Sequence, residues 1–181
     1  MIKVLLVDDD YLALEGLCRM LHWDDFNGEL AGCATDGVEA VSMIENNPPD
    51  VVVADIKMPR MNGIELSRYL YENHRGTRII LLSGHSEFEY AQKALQYRVT
   101  DYILKPVTRQ KIKELELLLT KIGKDLAAKK EIRRLTGSEA LKDRMLSLLR
   151  RGDEKTVYEF LHDGVLAEAL LHDTAGTLGS T

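Results

Sequence analysis

Asp50-Val51-Val52-Val53-Ala54-Asp55-Ile56-Lys57-Met58-Pro59 is the stretch on which the fold turns. Four apolar residues in a row, three of them β-branched, stand between two carboxylates, and Pro59 follows shortly after. A strand with one wet face would alternate polar and apolar residues, and this run does not. It reads instead as a strand buried on both faces, as in a parallel sheet covered by helices. Val4-Leu5-Leu6-Val7 and Ile79-Ile80-Leu81-Leu82 carry the same signature. With them, the expected strands are Lys3–Val7, Leu30–Ala34, Asp50–Ala54, Arg78–Leu82 and Asp101–Leu104. Helically spaced apolar stripes lie between them: Leu14, Leu17, Cys18 and Leu21; Val38, Val41 and Ile44; Ile64, Leu66, Tyr69 and Leu70; Ala91, Ala94 and Leu95.

Five βα units predict an α/β domain built on a doubly wound, five-stranded parallel sheet. Right-handed crossovers leave few topologies, and the flavodoxin-like order 2-1-3-4-5 is the common one for five strands. The domain is expected to occupy residues 1–120, followed by a C-terminal helical extension at 121–173 and a disordered tail at 174–181. In this order the ligand crevice lies at the carboxyl ends of the strands.

Those ends carry unusual residues. Strand 1 runs into Asp8-Asp9-Asp10, strand 3 into Asp55, strand 4 into Ser83-Gly84 and strand 5 into Lys105-Pro106. Singly, each has an ordinary structural reading: an Asp after a strand caps a helix, Ser-Gly turns the chain, Lys-Pro ends a strand. Asp10 fits that ordinary role, preceding the first helix. Jointly they bring complementary charges to one rim. Clustered carboxylates repel one another and call for a cation. Oxygen-only ligands suit a hard ion, Mg²⁺ first and Mn²⁺ or Ca²⁺ after it. Acids, a divalent ion, a lysine and a hydroxyl make a site for an incoming phosphoryl group, with a carboxylate able to take it as an acyl phosphate.

Composition narrows the classes. The chain of 181 residues is 45% hydrophobic with net charge −5, enough apolar material for a core. No segment has the length and apolarity of a membrane span, and the start runs straight into a strand, which reads as a cytoplasmic protein. Residues 1–107 hold 17 acids and 10 bases, which argues against nucleic-acid binding there. Cys18 and Cys33, far apart in sequence and in apolar contexts, read as reduced thiols rather than a disulfide.

Val7-Asp8-Asp9, Asp55-Ile56-Lys57-Met58-Pro59-Arg60-Met61-Asn62-Gly63, Leu82-Ser83-Gly84 and Tyr102-Ile103-Leu104-Lys105-Pro106 together resemble the receiver domains of two-component response regulators. The resemblance covers roughly residues 1–120 and implies specific roles. Asp55 is the phosphorylation site, fed by a sensor histidine kinase. Asp9 binds Mg²⁺ directly, Asp8 assists through water, and the Lys57 main-chain carbonyl completes the protein's ligands. Ser83 and Lys105 engage phosphoryl oxygens, and Lys105–Pro106 is cis. Tyr102 corresponds to the switch aromatic, which turns inward when the strand-4 hydroxyl moves. Lys57, Gly84 and His85 flank the site entrance and tune the lifetime of the acyl phosphate; a metal-ligand role for His85 lacks a partner at ligand spacing. Gly63 relieves crowding where the loop enters the third helix.

After Pro106, residues Thr108–Leu135 read as one long helix with Ile112, Leu115, Leu119, Ile122 and Leu126 in a coiled-coil-like stripe. Two uses are open: its first half packs on the sheet with an amphipathic extension beyond, or that extension in addition forms a homodimer through the 112–126 helix. A homodimer through the fourth helix, fifth strand and fifth helix is the other expected association. Short helical segments follow between Leu141 and Leu171. Ser83–Ala91 and Leu141–Gly152 look like regulators with a distant AraC-type DNA-binding module, so DNA contact is expected only through an output domain absent from this chain. Two other functions stay open: an aspartyl-nucleophile phosphatase, with Asp8 attacking and Asp10 as acid, and a receiver-like interaction module that is never phosphorylated.

Overall fold

The computed structural model describes residues 1–84 and 96–136, with side chains through residue 132. Strands β1 (Ile2–Val7), β2 (Gly28–Ala34), β3 (Val51–Asp55), β4 (Arg78–Ser83) and β5 (Asp101–Leu104) form one sheet in the order β2-β1-β3-β4-β5. Every pairing is parallel, so the expected flavodoxin-like topology is the observed one. Helices α1 (Tyr11–Met20), α2 (Gly37–Asn46), α3 (Gly63–Asn73) and α4 (Arg109–Thr136) are joined by a 3-10 turn at Trp23–Phe26. The stripe at Ala91, Ala94 and Leu95 lies outside the described residues, as do His85, the segments from Leu141 to Leu171 and the tail. Helix α4 is therefore the fifth helical segment of the sequence reading.

Strand alternation divides the core into two layers. Leu5, Val7, Val52, Ala54, Ile79 and Leu81 pack with Ala40 and Ile44 of α2 and with Ile64, Leu66 and Leu70 of α3. The intervening Val4, Leu6, Val53, Ile80 and Leu82 point to the other side and are equally buried. This two-sided burial is why those strands are nearly all apolar. β2 is the exception: its pairing starts at Gly28, and a bulge opposite Val4 and Leu5 breaks its alternation. The sequence pattern therefore predicted only its second part.

Two expectations need correction. Val38 belongs to the predicted apolar stripe of α2, yet it is 43% exposed, and Gly37, Ala40 and Ile44 form the buried face. Gly37 lies hard against Met61, which sets the helix rotation and turns Val38 outward. In α4, Ile112, Leu115, Leu119 and Ile122 are almost wholly buried within the single chain. Gly123 sits against Ile2, with a hypothetical Cβ 3.3 Å from Ile2 Cγ2. Four of the five stripe positions, Ile112, Leu115, Leu119 and Ile122, are thus core of the single chain and are not free to form a dimer seam. The chain divides into two compact units, Met1–Gly123 and Lys124–Thr181; of the second, only the end of α4 is described. No described helix is long and apolar enough to cross a membrane.

Three helices begin at the same rim where strands end. Asp10 caps α1, its carboxylate accepting from Leu12 N at 2.9 Å. Asp36 caps α2, and Asn62 closes a capping box with Glu65 on α3. Helix N-termini carry partial positive charge, so this rim favours anions.

Candidate functional site

Backbone register assembles the site. Val7 pairs with Ala54, Asp55 with Leu82, and Ser83 with Leu104. Asp8 therefore emerges beside Asp55, Ser83 one step past the Asp55 partner, and Lys105 one step past the Ser83 partner. The ladder continues just beyond the strands, with Ile56 N donating to Leu82 O at 3.0 Å and Lys105 N to Ser83 O at 2.6 Å. Four residues drawn from positions 8 to 105 are brought to one diagonal by hydrogen bonds alone.

At that diagonal the Lys105 ammonium lies 2.8 Å from Asp55 Oδ2 and 2.8 Å from Asp8 Oδ2. The other oxygen of each carboxylate is held by backbone: Asp55 Oδ1 accepts from Ile56 N at 2.7 Å, and Asp8 Oδ1 from Asp10 N at 3.0 Å. The Lys105–Pro106 peptide bond is cis, as the sequence resemblance implied. Asp9 is exposed above this pair, and one oxygen from each of Asp8, Asp9 and Asp55 falls within 4.8 Å of the others. The Ser83 side chain is buried, accepting from the Tyr102 hydroxyl and donating to Gly84 O at 3.0 Å.

Burial pushes the Asp55 carboxyl above the ordinary aspartate range; Lys105 and the Ile56 amide pull it back in part, and the Asp8 charge adds to the rise. Burial would lower Lys105, but its bonds to Asp55 and Asp8 outweigh that and raise it. Three carboxylates facing one ammonium leave an excess of negative charge in a partly desolvated place. That donor set, all oxygen, fits a hard divalent cation.

The remaining predicted residues fall around this centre. A Cβ on Gly63 would come within 2.4 Å of Asp55 O and 3.0 Å of Ile56 Cα, so only glycine allows the loop to close on the strand end. Among the described residues, a Cβ on Gly84 would meet nothing within 4 Å. Lys57 is exposed, two residues past Asp55. Tyr102 is half-buried with its hydroxyl on Ser83, so the aromatic is inward. Cys18 and Cys33, distant in sequence, have their sulfurs 3.7 Å apart as free thiols. Sequence reasoning missed the ion pair of Asp36, which is buried, with Arg60, whose side chain is 59% exposed, in the loop after β3. Asp36-Gly37-Val38-Glu39 before an apolar stripe was the available signal, since Asp with Glu three residues on marks a helix start.

Comparison with known proteins agrees with this architecture. The profile of the response regulator receiver domain matches residues 4–115. Transcriptional regulatory protein HptR of Staphylococcus aureus (strain NCTC 8325 / PS 47) is 37% identical over 126 residues, 70% of this chain and 48% of that protein. The uncharacterized transcriptional regulatory protein YesN of Bacillus subtilis (strain 168) is 36% identical over 132 residues, 72% of this chain and 36% of that protein. The chain thus spans about half the length of HptR and less of YesN. Among solved structures, the REC domain of AraT, a response regulator from Geobacillus stearothermophilus, is 34% identical with a TM-score of 0.65, covering 71% of this chain and 98% of that one. A two component transcriptional regulator AraC from Clostridium phytofermentans ISDg is 29% identical with a TM-score of 0.63, covering 69% and 97%. Matched along more than half its length by a family whose sheet order and acidic rim it shares, this chain belongs to the response regulator receiver domains of two-component systems.

Proposed function

We propose that Asp55 accepts a phosphoryl group from the phosphohistidine of a sensor kinase, and that the resulting acyl phosphate switches the domain's surface. The observation that carries this reading is the Lys105 ammonium, 2.8 Å from both Asp55 and Asp8 at the edge of a three-carboxylate cluster. An Asp55 oxygen attacks phosphorus opposite the imidazole nitrogen. The P–N bond breaks as the P–O bond forms, and the kinase side chain, protonated on its other ring nitrogen, departs as neutral imidazole. Lys105 already stands where a phosphoryl oxygen on Asp55 would need a counter-charge, and it can turn from carboxylate to phosphate without leaving the site. Asp8, Asp9, Asp55 and the Lys57 main-chain carbonyl would hold a divalent cation, Mg²⁺ by preference, which supplies further neutralisation to the transferred group when bound.

Ser83 and Tyr102 carry the signal outward in this reading. The Tyr102 hydroxyl donates to Ser83, so a hydroxyl drawn toward phosphate takes the aromatic's partner with it. β5 is an edge strand, and Leu104 on β5 and Leu117 on α4 are large exposed apolar side chains. They offer a homodimer face whose preference phosphorylation would bias. Contact with DNA would fall to an output domain outside this chain, as the transcriptional names of longer relatives suggest. The phosphatase alternative is weakened because Asp10, its would-be general acid, caps α1, and Asp8, its nucleophile, is more buried than Asp55.

Intact-mass analysis after incubation with acetyl phosphate tests the proposal. One base-labile phosphoryl adduct that requires Mg²⁺ and is lost in Asp55→Asn is the expected result. An adduct that survives in Asp55→Asn would transfer the role to Asp8, and no adduct under any condition would leave an interaction module.

A further inference from the structure

Arg60, in the loop between β3 and α3, has a left-handed backbone with φ 61°. Residues with a Cβ avoid that region, and they keep it only where the surroundings hold them there. Its guanidinium, on a side chain that is itself 59% exposed, donates to Asp36 Oδ2 and is one tie on this loop. Asp36 is 2% exposed, and its other oxygen caps α2, accepting from Val38 N at 2.8 Å and Glu39 N at 3.0 Å. The neighbouring residues make a second clamp. Gly37 N donates to Met61 O at 3.1 Å, and a Cβ on Gly37 would lie 2.5 Å from Met61 Cγ and 2.7 Å from Met61 O. Consecutive loop residues 60 and 61 are thus pinned to consecutive residues 36 and 37. Downstream, Gly63 N donates to Ile56 O at 2.9 Å and closes the loop's base. Between base and clamp lies Lys57.

We propose that the Asp36–Arg60 pair is a positioning device: it fixes the Ile56–Asn62 loop so that the Lys57 carbonyl faces the carboxylate cluster, and so sets the domain's affinity for a divalent cation. Neither residue touches the reacting atoms. The inference rests on the metal reading given under the proposed function. Partners that orient metal ligands commonly change affinity by tenfold or more when removed. Arg60 has a special property as a test position. Replacing it with glycine removes the guanidinium and at the same time relieves the left-handed backbone, so metal affinity and fold stability should move independently.

The experiment measures Mg²⁺ binding by titration calorimetry, backbone amide exchange at residues 57–61, and urea stability, for the wild type, Arg60→Gly, Arg60→Lys, Asp36→Asn and the Asp36→Asn/Arg60→Gly double variant. The expected result is a rise of about tenfold in the Mg²⁺ Kd for Arg60→Gly, with faster exchange confined to 57–61 and an unchanged or higher urea midpoint. Arg60→Lys should recover most of the affinity, and the double variant should be no weaker than Arg60→Gly alone. A Kd for Arg60→Gly within about twofold of wild type overturns the proposal. So does additivity in the double variant, or faster exchange throughout the domain, which would mark a general structural loss. If the wild type itself binds no Mg²⁺, the metal reading fails first, and that result is separable because it appears before any variant is made.

Discussion

Replacing Lys105 with methionine should destabilise the domain at neutral pH far more than at acid pH. Methionine keeps most of the apolar stem and removes only the ammonium. The loss leaves Asp8, 1% exposed, and Asp55, 9% exposed, facing each other without the cation that lies 2.8 Å from both. Removing one member of a buried ion pair costs about 3–5 kcal/mol. Lys105 is 28% exposed at its side chain, so water and salt take over part of its role and about 2 kcal/mol is the working figure. With a urea dependence of about 1.5 kcal/mol/M, the midpoint falls by about 1.3 M. The pH dependence follows from both groups. Lys105 has a raised pKa, so its contribution is present at every pH below the ordinary lysine value and is fully present at pH 7. Asp55 has a raised pKa as well, so the cost of its ionised form exists above that folded value and disappears as pH falls through it. Without Lys105 the rise is larger, and the cost is shed sooner on acidification. The assay is urea unfolding of both proteins near pH 7 and near pH 4, repeated with Mg²⁺, which should restore part of the loss at pH 7. An equal difference at both pH values, or a loss below about 0.5 kcal/mol at pH 7, would refute the reasoning.

Three other perturbations have defined outcomes. Gly63→Ala puts a Cβ 2.4 Å from Asp55 O, so it should cost about 3 kcal/mol or more in urea unfolding and lower phosphorylation by displacing Asp55. Asn62→Ala removes the α3 cap, whose carbonyl oxygen takes Ile64 N at 2.9 Å and Glu65 N at 3.0 Å; thermal unfolding should report a loss of about 1 kcal/mol. Leu119→Ala, in a fully buried position of α4, should cost about 2–5 kcal/mol; a smaller cost in equilibrium unfolding would mean that α4 does not seal the core.

Where the sequence was readable, a local cause was at work. Val51-Val52-Val53-Ala54 announced its strand because both faces of β3 are covered, and the chemical residues were findable because each closes or directly follows a strand. The rim itself was legible because parallel register forces strand ends together. What escaped was tertiary. Nothing in the period of Val38, Val41 and Ile44 says that Gly37 will be pressed on Met61 and rotate α2. A stripe of leucine and isoleucine in α4 serves a sheet or a partner helix equally well, and only the packing of Ile112 to Ile122 decides between them. Arg60 carries no local mark of its left-handed backbone or of Asp36, because the two residues are brought together only by the loop's path.

Because the reactive groups are placed by strand pairing at one end of the sheet, the opposite end is free of that duty. There α3 hands over to β4 through Gly76, where an added Cβ would meet nothing within 4 Å among the described residues. A cysteine for a fluorophore, or a short inserted epitope, could be put at that turn with the carboxylate–lysine register intact. The domain thus offers a handle for immobilisation or optical readout on the side facing away from its chemistry.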